Sequence, residues 1–123
     1  PVVAISYDAW NSTFAIIKLT ELGFDCQLFS QSIGYQNKPT RHMELLARSG
    51  RMILQSNPIV PWCYGNCTVR EDNNENIKVT KINKCSENKI DLVAAAINAL
   101  GYYLSQPQYD NVIVGTGTQQ QSQ

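Results

Sequence analysis

The chain opens on an almost entirely apolar run, Val2-Val3-Ala4-Ile5-Ser6-Tyr7, turns polar at Asp8, and takes up a helical period from Asn11 onward. A short apolar run of this kind predicts a parallel-sheet strand buried on both faces, with Asp8 at its carboxyl end. Asn11 or Ser12 can cap the helix that follows. Phe14, Ile17 and Leu22, with Ala15 and Leu19, form its apolar stripe, and Gly23 ends it. Phe24 to Gln31 predicts a second strand, with Cys26, Leu28 and Phe29 as its apolar positions. Strand, helix and strand within about 30 residues make a βαβ unit.

Ser32 to Lys38 has the composition of a polar loop, and Pro39 sits where a helix would start, with Met43, Leu46 and Ala47 as its narrow apolar face and Gly50 as its stop. Arg51 to Gln55 predicts a short strand. Asn57-Pro58 then opens a helix through Ile59, Val60, Trp62 and Tyr64, with Pro61 expected to distort its first turns. Cys67 to Arg70 and Ile77 to Ile82 predict two strands joined across the hydrophilic turn Glu71 to Asn76. Ser86 is the expected cap of the longest helix, with Glu87 in its first turn. Ile90, Val93, Ala94, Ile97, Gly101 and Leu104 are its stripe, and Asp91 stands one turn in, off that stripe. The domain is expected to span residues 1–105, followed by a flexible tail over 106–123 whose end, from Gly115, is low in complexity.

With 123 residues, 43% of them hydrophobic and 16% charged, the chain suffices for one modest domain and not for two. Ten basic residues balance ten acidic ones, so any contact with DNA must be local rather than driven by an overall field. No segment approaches the roughly 20 apolar residues of a membrane span. The apolar amino end has no basic region before it and no small-residue cleavage site after it, so no signal peptide is expected. A chain that begins at Pro1 and enters a core strand at Val2 has the look of a piece cut from something longer. Cys26, Cys63, Cys67 and Cys85 are expected to be reduced thiols in a cytoplasm.

Asp8 and Asp91 are the candidates for chemistry. One ends a core strand and the other lies early on a helix that must cover the sheet, so both can reach the same edge of the domain. Carboxylates that converge without a basic partner repel one another, and Mg²⁺ or Mn²⁺, which prefers oxygen ligands, relieves that repulsion. Two such ions about 4 Å apart would clamp the attacking and leaving oxygens of a phosphodiester. The plainer alternative makes Asp8 a helix cap and Asp91 a solvated first-turn acid.

Rival chemistries have less behind them. Cys63 and Cys67 have a spacing compatible with zinc, which His42 or Cys85 could complete, yet no second close pair exists. No local motif joins His42 to a nucleophilic thiol. Trp10, Trp62 and the tyrosines could stack on bases but fit apolar core patterns. Arg41, Arg48 and Arg51 could touch phosphate, or form an ordinary solvated face.

Tyr7-Asp8-Ala9-Trp10-Asn11, Leu22-Gly23-Phe24, Gln31, Asn57-Pro58-Ile59-Val60-Pro61-Trp62, Asn66, and Lys89-Ile90-Asp91 followed by Ala94 and Ala99-Leu100 resemble, in order and spacing, the carboxyl-terminal part of a bacteriophage terminase large subunit. The resemblance covers about residues 2 to 104. It implies an α/β chain with part of a ribonuclease H-like fold, a mixed sheet flanked by helices. It also implies a metal-dependent endonuclease that cuts concatemeric double-stranded viral DNA in the cytoplasm of a bacterial host, beside a portal and a small terminase subunit. By the same resemblance Asp8 matches the acid at the end of the family's fourth strand, Asp91 matches the acid on its last helix, and Lys89 is a candidate phosphate contact.

The chain departs from the family at its start. The amino-terminal hairpin, whose first strand carries another essential Asp, is absent, as are the packaging ATPase and any Gly-rich phosphate loop. A centre with one acid missing is expected to bind Mg²⁺ or Mn²⁺ weakly and to cut DNA poorly or not at all. The edge left open beside Ile5 is expected to favour self-association. The alternative function is a non-catalytic α/β docking module of the packaging motor.

Overall fold

The computed structural model describes residues 1–84 and 87–107. Its elements are β1 (Ile5–Tyr7), α1 (Thr13–Glu21), β2 (Cys26–Leu28), α2 (Ile33–Arg48), α3 (Ile59–Gly65), β3 (Cys67–Glu71), β4 (Ile77–Lys81) and α4 (Asp91–Leu104). β1 and β2 pair in parallel, Ile5 opposite Cys26 and Tyr7 opposite Leu28, with α1 as the crossover of the expected βαβ unit. β3 and β4 form an antiparallel hairpin, and the two pairs are separate two-stranded sheets in an α/β chain. Asp72 closes the hairpin by accepting the Asn74 and Asn76 amides at 2.9 and 2.8 Å, a side chain standing in for a backbone turn. α2 holds the hairpin against the domain, because Asn37 Oδ1 accepts the Ile77 amide at 2.9 Å and the Arg41 guanidinium donates to the Glu75 carbonyl.

The core lies where α2, α3, α4 and the hairpin meet. Cys63, Val93 and Ile97 are buried there, with Met43, Tyr64, Cys67 and Val79 packed against them. The β1–β2 pair sits to one side of this cluster and is tied to α4 by a close approach: the Phe29 ring lies directly over Gly101. A Cβ at that position would stand 2.3 Å from Phe29 Cζ, so only glycine fits without displacement.

Several expectations are corrected. α2 starts at Ile33, so Pro39 lies inside a helix rather than opening one, and Ser32 to Lys38 is mostly helix rather than loop. The missed signal is Gln36, a polar residue that faces inward because its amide donates to the Ser30 carbonyl at 3.0 Å and to Asn98 at 3.3 Å. Arg51 to Gln55 is not a strand. Met52 and Leu54 turn toward the core side while Ile53 is 97% exposed, an extended alternation with no partner strand among the described residues. α4 starts at Asp91, not near Ser86, so Glu87 precedes it, Asp91 is its first residue, and α2 is the longer helix. The Asn66 side-chain amide donates to the Lys89 carbonyl at 3.0 Å, and the first intrahelical acceptor is Ile90, which receives the Ala94 amide at 3.0 Å. Pro61 is the third residue of α3, where an amide has no intrahelical acceptor anyway, so it removes no helix bond. β1 is half-buried rather than covered on both faces, and Val2 and Val3 are exposed. Ser86 itself and residues 108–123, most of the expected tail, lie outside the described residues.

Candidate active site

Asp8 leaves the end of β1 in a tight turn of its own making. Its Oδ1 accepts the Trp10 amide at 3.0 Å, Ser12 Oγ donates to its carbonyl at 2.7 Å, and Asn11 between them takes φ +54°, a conformation Asn tolerates better than most residues. The turn aims the half-buried carboxylate and leaves Oδ2 for another partner. It also turns Trp10 outward. The indole is 79% exposed, which overturns its assignment to the core.

Asp91 is exposed at the amino end of α4, where the helix dipole suits a carboxylate. The segment before it is held by Asn66, whose side chain bonds Lys89 and whose carbonyl accepts the Ile82 amide at 3.0 Å. Lys89 is exposed beside this tether, two residues from Asp91.

The relation of the two acids follows from what lies between them. Val3, Ala4 and Ser6 share a groove of about 350 Å³ with Ala99, Tyr102 and Tyr103, so the start of β1 lies beside the end of α4. Past the carboxyl end of β2, Phe29 rests on Gly101 and the Gln31 amide donates to Asn98 Oδ1 at 3.0 Å. Movement along the parallel pair toward Asp8 is therefore movement down α4 toward Asp91, which lies about 10 Å of helix beyond Asn98.

Two carboxylates are the hard oxygen donors that Mg²⁺ or Mn²⁺ takes, which fits the ion class. They fall short in number. Among the described residues no group of three or more His, Cys, Asp or Glu side chains could hold an ion.

Cys63, Cys67 and His42 form no such group among the described residues, and Cys85, the other candidate zinc ligand, lies outside them. Cys63 is buried, and the Cys67 thiol donates to the Cys63 carbonyl at 3.3 Å. Burial, with Cys63 nearby, pushes the Cys67 thiol up and away from the reactive thiolate. Of the three clustered arginines, Arg48 pairs with Glu44 at 2.8 Å and Arg41 is spent on Asn37 and the hairpin. Among the described residues no helix is long and apolar enough to cross a membrane. Asn98 and Gln36, buried amides bonded at the carboxyl rim, were not anticipated; the only trace is a polar residue next to Ile97 in an apolar stripe.

Residues 1–106 match the family described as terminase large subunit, endonuclease domain. Protein YmfN of Escherichia coli (strain K12) is 28% identical over 101 residues, which cover 82% of this chain and 22% of that protein, so the chain spans about a fifth of this relative's length. No solved structure matches the chain.

Proposed function

Because the chain belongs to the terminase large subunit endonuclease domain family, we propose that Asp8 and Asp91 are the acids it contributes to a centre for Mg²⁺ or Mn²⁺ that cuts double-stranded viral DNA during packaging. The observation behind this reading is the opposed course of β1 and α4, which gives the end of the strand and the start of the helix a common side. Bound ions would supply charge neutralisation at the phosphate and make a coordinated water more acidic than bulk water. The protein's own part is to hold Asp8 with the Trp10 amide and to hold the segment before Asp91 through Asn66. Lys89 is suited to a backbone phosphate, and phosphate contacts confer no base preference, so the cut is not sequence-specific. The reading extends to the family's setting, a portal and a small terminase subunit in the host cytoplasm.

With two acids the isolated chain binds the ion weakly and nicks poorly. Mn²⁺ titration by calorimetry on the chain and on Asp8→Asn and Asp91→Asn tests the pairing: binding lost in both variants supports one shared centre, and binding unchanged in either refutes it. Brisk nicking of supercoiled plasmid by the isolated chain would refute the weak-centre part. A second reading, a docking module without catalysis, is favoured by the exposed apolar residues Phe14 and Ile17 of α1 and by the edge of β1 that has no partner strand among the described residues, beside the exposed Val2 and Val3. That edge would also account for self-association.

A further inference from the structure

We propose that the open edge of β1 and the carboxyl half of α4 together form a homotypic interface, at which two copies of this chain pair β1 to β1 antiparallel about a two-fold axis and join their two-stranded sheets into one of four strands. A second copy is thereby the partner for the self-association assigned to this edge, and the pairing needs no role for Asp8 or Asp91.

The backbone of β1 shows which groups are left over. The Ile5 amide donates to the Asp25 carbonyl at 2.7 Å and the Tyr7 carbonyl accepts the Phe29 amide at 2.9 Å, so both residues turn their backbone groups toward β2. Ser6 lies between them, and its amide and carbonyl point the other way, where no strand pairs with β1 among the described residues. Monomeric proteins guard such an edge with charged side chains, proline or a bulge. β1 itself has neither charge nor proline, no charged side chain occurs from Pro1 to Tyr7, and Val2 and Val3 are 64% and 84% exposed.

α4 supplies the other half of the surface. Asn98 and Gly101 face the loop after β2, whereas Ala99, Tyr102, Tyr103 and Gln106 turn to Val3, Ala4 and Ser6 and line the groove of about 350 Å³ with them. Ser6 Oγ is buried with no hydrogen-bond partner, and a buried hydroxyl left in that state calls for one. A two-fold axis normal to the sheet reverses the strand and keeps both α4 helices on the same face. Each groove is then closed by the other copy, and each Ser6 hydroxyl lies beside the partner's polar groups. From Leu92 to Gln106 there is again no charged side chain. The face therefore carries no charge to repel its own copy and no cation to hold a DNA phosphate. Depletion of charge with exposed tyrosine, here Tyr103 at 50%, is the composition of an interface core. A surface that is its own complement closes as a two-fold dimer.

The test is sedimentation equilibrium of the full chain over a range of concentrations, with amide exchange read residue by residue on the same samples. The parent is expected to dimerise reversibly. Its Ser6 amide should exchange more slowly as concentration rises, and the Ile5 amide, already bonded to Asp25, should change less. Val3→Lys, at an exposed site that leaves the fold intact, should raise the dissociation constant about 100-fold or more by setting a cation against an uncharged strand edge. Tyr103→Glu reads the α4 side of the same surface. Val69→Lys, at an exposed apolar site on the other sheet, should dimerise like the parent, with circular dichroism confirming the fold of all three variants. A monomeric parent overturns the pairing and leaves the edge to residues 108–123 of the same chain or to another protein. A dimer that both Val3→Lys and Tyr103→Glu leave intact, or one that forms without slowing the Ser6 amide, overturns it as well. None of these outcomes touches the metal centre, which the Mn²⁺ titration tests alone.

Discussion

Replacing Gly101 with alanine adds one methyl group where the structure has no room for it. The new Cβ would stand 2.3 Å from Phe29 Cζ and 2.7 and 2.8 Å from the two Cε atoms, so three ring carbons must withdraw together, Cζ by about 1.2 Å and the Cε atoms by about 0.7–0.8 Å, to reach ordinary contact near 3.5 Å. Alanine is worth about 1 kcal/mol over glycine in a helix interior, and a freely swinging ring would let that gain show. The ring is not free to swing far: its backbone amide is bonded to Tyr7, and its carbonyl receives Gln31. Overpacking of this kind costs about 1–3 kcal/mol. The balance is a net loss of about 1 kcal/mol, or a Tm lower by about 4–8 °C in a domain of this size, read by circular dichroism on heating. The same substitution in a Phe29→Leu background should lose most of its cost, because the colliding ring is gone. A Tm that stays level or rises in Gly101→Ala alone would show that the Phe29 contact does not constrain α4.

Two further outcomes follow from titrating groups. Burial, then the Arg51 and Lys38 cations, hold the His42 imidazole below its ordinary value of 6.5, so the unfolded chain takes up that proton first and stability, undiminished above pH 6.5, declines as pH falls through the folded value. His42→Gln should flatten that decline in urea midpoints measured between pH 7.5 and about 5, and parallel curves for the two chains would count against it. The raised Cys67 thiol should be alkylated by iodoacetamide at pH 8 at least about tenfold more slowly in the folded chain than in urea, and equal rates would contradict its burial.

Elements whose apolar residues point at neighbours could be read from the chain alone. The hairpin across Glu71 to Asn76 and the stripe of α4 through Val93, Ile97, Gly101 and Leu104 have period and punctuation that match their packing, whereas the opening βαβ unit is legible in its element order alone, because the apolar stripe of α1 through Phe14, Ile17 and Leu22 is exposed. Features set by partners far away could not. The start of α2 is hidden because its inward residue is Gln36, whose partner Asn98 is 62 positions distant. The segment before α4 is held by Asn66, 23 positions upstream, which donates to the Lys89 carbonyl. Trp10 fits an apolar pattern, and only the Asp8 turn with its left-handed Asn11 reveals that the chain has swung it outward. Asp8 can be placed at the end of its strand from the chain alone, whereas the sequence pattern puts Asp91 one turn inside a helix capped at Ser86 and the structure makes it the first residue of α4; the register of α4 against the β2 loop is encoded by no local pattern.

The off-centre core gives this domain two thermodynamic tempers. Cys63, Val93 and Ile97 knit α3 and the first half of α4 to α2 and the hairpin, whereas α1 has no buried residue and β1 and β2 bury none completely. Local opening therefore begins on the strand side, with amides of β1 and β2 exchanging with solvent before those near Ile97, while the rest stays closed. α4 spans both halves, so the helix that bears Asp91 is anchored in the slow-opening unit while Asp8 belongs to the fast one. Whatever binds across the two acids would fasten the fast half to the slow one, and an added strand along β1 would do the same from the opposite edge.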